Sequence, residues 1–535
     1  MLTFADPLIR AEQCFSDAPA LVDGSARFCF GELVERCRRL AGAIRAATQR
    51  GDRVAVLATN SHRVLELYLA TPSAGRLIVP LNTRLAQPEL AYALKDCGAR
   101  ILLTDRPASQ LGPLSGLVER VIGLGDDYEQ WIASAPAAEL GADVDENDVA
   151  GLFYTGGTTG TAKGVMLTHR NKLADTLHLQ TCVRITADDS WLVLSPMHHA
   201  AGTFQALLCI WLGARQILIP GFDAGPVLDL IERERVTVIF GVPAMLTAMV
   251  DEQAARSRDT SSLRLMGYGA APASSRLLAR FHEQFPTTEL VSMYGATELA
   301  PMGTALEHME RFIGTDRVRS AGRAIAGVRI RVVDEEIKDL AGGEIGQVIV
   351  RGPNVMKGYW NKPEQTASVL RDGWYHTGDL GYLDAEGCLH LVDRAKDMIV
   401  SGGENVYSTE VEEALYHHPD VFECAVFGVP DPRWGEAVRA VVVLRGEATP
   451  DGATPDGATL DGAALDAAAP DAEATNAKAT NAETLREHCR ELLGGYKVPK
   501  QIEIRSEPLP RSAAGKVLKR ELRAPFWKGH ERSIS

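Results

Sequence analysis

The sequence predicts an α/β protein in two parts: a large N-terminal domain with parallel α/β sheets and a β subdomain, and a small α+β C-terminal domain. Two observations carry this. Short apolar runs alternate with helix-like stretches over residues 33–104 and again beyond 190, the pattern of βαβ units around a parallel sheet. Past Asp393 the alternation gives way to a compact mixture of helices and strands. A chain of 535 residues is also too long for one ordinary core, so more than one folding unit is expected on length alone. The boundary is placed between 393 and 394, giving domains 1–393 and 394–535.

Taken in order, a helix at 33–47 precedes a strand at 52–58, and a helix at 64–69 precedes a strand at 77–81. A helix at 89–97 and a strand at 100–104 complete the first run. Buried strands are expected at 191–194, 216–219, 237–240, 263–266 and 290–293, with helices at 227–235 and 275–285 among them. Strands at 328–333 and 347–350 belong to the β subdomain near 320–390. In the second domain a helix at 410–417 leads to strands at 424–429 and 437–444. A helix at 483–493 then precedes a strand at 501–504.

One segment fits no fold. From Asp451 a five-residue repeat of Asp, Gly, Ala, Thr and Pro begins. Residues 451–482 hold five Asp and one Glu against Lys478, with Leu460 and Leu465 as their only large apolar side chains. Such a tract cannot bury enough surface to offset ordering entropy. It reads as a disordered low-complexity insertion in a surface loop.

Composition narrows the function. A net charge of −14 argues against general affinity for nucleic acid or an anionic membrane surface. Nine cysteines, from Cys14 to Cys489, include no CxxC pair and no His/Cys cluster at zinc spacing, which fits reduced thiols. The N-terminal MLTFADPLIRAEQ lacks the basic and apolar regions of a signal peptide. No apolar run is long enough to span a membrane. A cytoplasmic protein is expected, and a homodimer is compatible with it.

The strongest local signal follows the short apolar strand at 150–153. Thr155, Gly156, Gly157, Thr158, Thr159, Gly160, Thr161 and Lys163 stand almost side by side. Glycines let backbone N–H groups turn toward a polyphosphate, hydroxyls donate to it, and a lysine adds charge. A Walker A loop needs adjacent Gly-Lys followed by Ser or Thr. Here Gly160 and Lys163 are two residues apart and Gly164 follows, so this is not a P-loop.

Further strings recur in order: Ser195-Pro-Met-His-His-Ala200, Tyr294-Gly-Ala-Thr-Glu298, Tyr375-His-Thr-Gly-Asp-Leu380, Asp393-Arg-Ala-Lys-Asp-Met-Ile-Val-Ser-Gly-Gly-Glu-Asn405 and Pro510-Arg-Ser-Ala-Ala-Gly-Lys516. With the Thr/Gly loop they resemble the adenylate-forming superfamily of acyl- and aryl-CoA synthetases, luciferase and peptide-synthetase adenylation domains. The resemblance covers the chain apart from 451–482, and ordered motifs are far more specific than single ones.

The resemblance implies ATP and Mg²⁺ as cofactors, coenzyme A as co-substrate, and a small-molecule carboxylic acid as substrate. It places Tyr294 and Gly269 by the adenine, Thr297 on the α-phosphate, and Glu298 with Thr155 on Mg²⁺. Asp379 anchors the ribose and Arg394 helps hold the nucleotide. Lys396 is the hinge before a mobile lid, with Gly402 and Gly403 in the same string. Lys516 is the catalytic lysine, and His199 lies at the acyl and pantetheine tunnel. Adjacent histidines on a strand face opposite ways, so no zinc site is expected at His198 and His199. Two departures stand out: Ala162 replaces a common proline, and Ala270 a common glycine. Small residues at 200–203, with Val242 and Met302, suggest a medium- or long-chain fatty acid. An aromatic acid of the cinnamate or benzoate type, or an acyl-AMP ligase loading a carrier protein, are the alternatives.

Overall fold

A computed structural model describes residues 2–155, 162–271, 273–394, 397–401, 404–445, 480–511 and 517–528. The chain divides into two compact units, Met1–Leu391 and Val392–Ser535. The fold is mixed α/β, with a large N-terminal part and a smaller C-terminal one.

In the first unit two large sheets form around parallel strands. Among the described residues one has nine strands. Its parallel centre runs Glu289–Tyr294, Leu265–Gly269, Val238–Gly241, Ser190–Val193, Arg215–Leu218 and Pro19–Asp23. The other has seven strands, with Val149–Thr155, Leu77–Pro80, Arg53–Leu57, Ile101–Thr104 and Arg120–Gly123 parallel. Leu77–Pro80 and Ile101–Thr104 are buried at every position, which is why their sequences are apolar save for Thr104, whose hydroxyl donates to the Leu57 carbonyl. The strands expected from the sequence are present, their ends shifted by a few residues.

A third, antiparallel sheet joins Arg329–Val333, Gly346–Arg351, Trp374–Leu383 and Leu370–Arg371. The β region near 320–390 is not wholly separate, however. Arg323–Ala324 forms an edge of the nine-stranded sheet, and Gly358–Tyr359 an edge of the seven-stranded one. Helix His169–Val183 explains part of that join. Thr168 and Asn171 cap its start reciprocally, at 2.9 and 3.1 Å. The Asn171 amide also donates to the Pro353 and Val355 carbonyls, so one cap fixes both the helix start and the chain entering Gly358–Tyr359.

The second unit holds strands Glu404–Val406, Ile399–Ser401, Val421–Asp431 and Gly435–Leu444, with Gln501–Arg505 parallel to the last. Helices Ser408–Tyr416 and Ala482–Leu492 contribute Val411, Leu415, Leu485 and Cys489 to its core. Residues 451–479 of the low-complexity tract lie outside the described residues. Its last residues belong to the fold, contrary to the sequence reading. The Asn481 side chain accepts from Glu483 N and Thr484 N, each at 3.0 Å, and so starts the helix.

Candidate active site

The Thr/Gly run sits within a hairpin. Strands Val149–Thr155 and Lys163–Thr168 are antiparallel, with Thr155 opposite Lys163. Gly156, Gly157, Thr158, Thr159 and Gly160, between them, lie outside the described residues. The Lys163 ammonium stands 4.7 Å from the centroid of the Tyr359 ring, a cation–π distance.

Tyr359 leads to Glu298. Its hydroxyl donates to Glu298 Oε1 at 2.8 Å. Burial, then the Glu298 charge, push the Tyr359 phenol above its ordinary range, so it remains a donor. Glu298 lies in the short turn Thr297–Leu299, just past the strand Glu289–Tyr294, where parallel sheets place ligand groups. Its backbone is fixed too, because Met356 N donates to the Glu298 carbonyl at 2.8 Å.

Tyr294 ends that strand and donates its hydroxyl to Asp379 Oδ2 at 2.6 Å. Asp379 is largely buried within Trp374–Leu383. Its backbone N–H donates to Thr377 Oγ1, which in turn donates to the Val348 carbonyl. Tyr375 lies amid these groups. Burial first, then the charges of Glu298 and neighbouring groups, hold its phenol well above the usual range. Lys163, Tyr359, Glu298, Tyr375, Tyr294 and Asp379 therefore form one electrostatically linked cluster. Of these, Tyr359 and Tyr375 escaped the sequence reading. Tyr375 opens a quoted string, but nothing in the spacing marks Tyr359.

Gly269 ends the neighbouring strand Leu265–Gly269. A methyl group there would lie 2.4 Å from the Met293 carbonyl oxygen, so only glycine fits. Ala270 takes φ 67°, a left-handed backbone that costs a residue with a Cβ.

His198 and His199 occupy a turn, not the strand assumed above, and their ring centroids are 4.3 Å apart. The opposite-faces argument therefore does not hold here. Burial, then His199 and Arg84, hold His198 well below the ordinary histidine range, so it is neutral. Both ends of the Asn60 amide pin this segment, at Ser195 O (3.0 Å) and Met197 N (2.8 Å). Among the described residues, the group spaced to share a metal ion is Glu289, Glu307 and His308. Arg184 already bonds both glutamates.

Of the small residues at 200–203, all but the half-buried Ala201 are packed into the interior. Ala200 is 2% exposed and Thr203 0%. A methyl group on Gly202 would meet the Pro196 carbonyl oxygen at 1.9 Å. At Gly202 smallness reflects a close backbone approach, so that glycine by itself is no sign of a fatty-acid tunnel.

In the second unit Arg394 is exposed and its N–H donates to Asp393 Oδ1 at 2.7 Å. Asp393 Oδ2 accepts from Ser408 N. Lys519, half-buried, bonds Ser408 Oγ at 2.6 Å and Glu412 at 2.8 Å. Arg511 and Val517 pair in an antiparallel bridge. Lys396, Gly402, Gly403 and Lys516 lie outside the described residues.

The sequence matches the model of the AMP-binding enzyme family over residues 9–360, and that of the AMP-binding enzyme C-terminal domain over 410–516. The chain belongs to the AMP-binding enzymes. It is 40% identical to a feruloyl-CoA synthase of Amycolatopsis, over 97% of this chain and 98% of that one. It is 33% identical to a long-chain-fatty-acid–CoA ligase of Bacillus subtilis, over 95% and 92%. The O-succinylbenzoate coenzyme A synthetase of Bacillus subtilis, solved with ATP and magnesium ion, superposes with a TM-score of 0.81 at 29% identity, covering 96% of this chain and 98% of that one.

This AMP-binding enzyme is an acyl/aryl-CoA ligase that forms AMP and uses ATP, Mg²⁺ and coenzyme A. The donor set fits the metal. Mg²⁺ takes one or two carboxylates beside phosphate oxygens and water, and Glu298 is a carboxylate oriented by a tyrosine hydroxyl. None of its helices is long and apolar enough to cross a membrane, among the described residues.

Proposed function

We propose that the substrate is an aromatic carboxylic acid of the hydroxycinnamate type, activated as its adenylate and passed to coenzyme A. The 40% identity to a feruloyl-CoA synthase, against 33% to the fatty-acid ligase, carries this reading. The packing of Gly202 against Pro196 agrees with it, because that glycine's smallness is a steric need and not a sign of a fatty-acid tunnel.

In the first step a carboxylate oxygen attacks the α-phosphorus, the α–β anhydride bond breaks and pyrophosphate leaves. In the second the coenzyme A thiolate attacks the acyl carbon and AMP leaves. Mg²⁺, when bound, would neutralise part of the phosphate charge. The proposed parts are these. Residues 1–393 bind nucleotide and acid, and 394–535 form the lid. Thr155 to Gly160 and Lys163 cradle the phosphates, Thr297 holds the α-phosphate, and Glu298 with Thr155 holds the metal. Tyr294 and Gly269 flank the adenine, and Asp379 accepts from the ribose hydroxyls. Arg394 steadies the nucleotide and His199 borders the acyl tunnel. Lys396, beside Gly402 and Gly403, is the hinge, and Lys516 stabilises charge building on the α-phosphate.

A panel of acids tests the substrate class by coenzyme-A-dependent AMP release. Ferulate, coumarate or benzoate is expected to give the highest kcat/KM. A fatty acid of hexanoate length or longer that outperforms every aromatic acid overturns the reading.

A further inference from the structure

The loop that follows Glu298 is held by three buried polar side chains from elsewhere in the chain. Lys172 and Asp175 lie one turn apart on helix His169–Val183 and are 1% and 0% exposed. The Lys172 ammonium donates to the Ala300 carbonyl at 3.1 Å and stands 5.7 Å from the Phe153 ring centroid. Asp175 Oδ1 accepts from Met302 N at 3.0 Å. Asn354, fully buried, donates to the Leu299 carbonyl at 2.8 Å and the Met302 carbonyl at 2.6 Å.

Two fully buried charges are unfavourable unless paired and hydrogen-bonded, and an apolar pair of similar volume is often no less stable. Core packing alone therefore does not call for Lys172 and Asp175. What they and Asn354 reach is the backbone of Leu299, Ala300 and Met302. Ala300 has φ 67°, a conformation that persists in a residue with a Cβ only where its surroundings over-determine it. The Lys172 ammonium bonds that residue's own carbonyl. Glu298 directly precedes the held segment and Met302 closes it, so the clamp fixes the backbone on which the Glu298 carboxylate is mounted.

We propose that Lys172, Asp175 and Asn354 are positioning residues that set Glu298 for the metal–nucleotide complex. The inference rests on the reading of Glu298 as the magnesium ligand. Lys172 touches Ala300 and not Glu298, so it acts through the loop. Phe153 lies on the strand that leads into the phosphate loop, and the same ammonium thus spans both sides of the nucleotide site.

The test is nucleotide binding by calorimetry, without carboxylic acid, over a series of Mg²⁺ concentrations, with a non-hydrolysable ATP analogue and with AMP. The main variant is Lys172→Met/Asp175→Asn, which removes both charges yet keeps an acceptor for Met302 N. It is expected to melt close to the parent. Its metal-dependent affinity for the analogue should fall on the order of 10–100-fold, as for other groups that orient a metal ligand, while AMP affinity is unchanged. Asn354→Ser, which alters no charge, should weaken the same quantity and stands in if the double variant does not fold. Unchanged metal dependence in either folded variant overturns the clamp. Glu298→Gln, measured alongside, separates the failures. If it loses the metal response while the clamp variants keep it, only the clamp is wrong. If it too keeps the response, the assignment of Glu298 is wrong as well.

Discussion

The Tyr294 hydroxyl and Asp379 Oδ2 are 2.6 Å apart, and that bond closes the last residue of a parallel strand onto the antiparallel sheet. If Asp379 is the ribose anchor, the two residues differ in what they do. Asp379→Ala should raise the KM for ATP on the order of tenfold or more, the loss of bonds to a charged acceptor. Tyr294→Phe should raise it less, and lower stability by about 1–2 kcal/mol. Pyrophosphate release and urea unfolding measure the two effects. Equal KM changes in both variants would remove Asp379 from the ribose.

Deleting 451–478 behind a short flexible linker should leave the melting temperature and the AMP-forming rate nearly unchanged, since loop-closure entropy grows only logarithmically. Asn481→Ala, only a few residues further on, should cost about 0.5–2 kcal/mol through loss of the helix cap. Thermal melts of both proteins check the contrast. A deletion as damaging as the cap variant would make the tract a structural element.

Lys516→Ala should leave ATP binding intact and slow acyl-AMP formation on the order of 10²–10³-fold, the cost of one donor aimed at developing charge. Thioester formation from supplied acyl-AMP should be much less affected. Lys396→Pro, which restricts a hinge φ, should do the reverse. Equal damage to both half-reactions by Lys516→Ala refutes the division of labour between these lysines.

His169 gives a pH dependence. Its ring is 1% exposed, Nδ1 accepts from Phe4 N at 3.2 Å, and burial pushes its pKa down to about 4. A depressed histidine pKa means that the unfolded chain binds the extra proton. The stability from its neutral form is complete above about pH 6.5 and is lost as pH falls from there toward about 4, by up to about 3 kcal/mol. Urea midpoints at about pH 7 and about pH 5 should fall less in His169→Gln than in the parent. An identical fall in both shows that His169 does not titrate in this window.

Strands such as Leu77–Pro80 were legible because complete burial writes an unbroken apolar run. The candidate nucleotide-site residues stood out as strings that resemble a family, and at Gly269 the structure adds a local reason, the Met293 carbonyl that excludes a side chain. What the sequence hid was non-local. Tyr359 reaches Glu298 from 61 residues away, and Lys172 reaches Ala300 from 128, so no spacing rule links them. The histidines misled for a different reason: the opposite-faces argument assumes a strand at His198 and His199, although the expected strand ends at 194 and Ser195-Pro196 intervenes. Gly202 misled because a small residue looks the same whether it opens a pocket or admits a carbonyl.

That glycine also bears on how such an enzyme can be redesigned. With the Pro196 carbonyl occupying the space of its side chain, position 202 is closed to mutagenesis, and enlarging Ala200 or Thr203 intrudes on the core. Libraries meant to change acid preference should leave this stretch alone and test Val242, a half-buried position that the sequence suggests for the acid pocket. Variants recovered there should trade one substrate for another, whereas those at 202 should simply be lost from the soluble fraction.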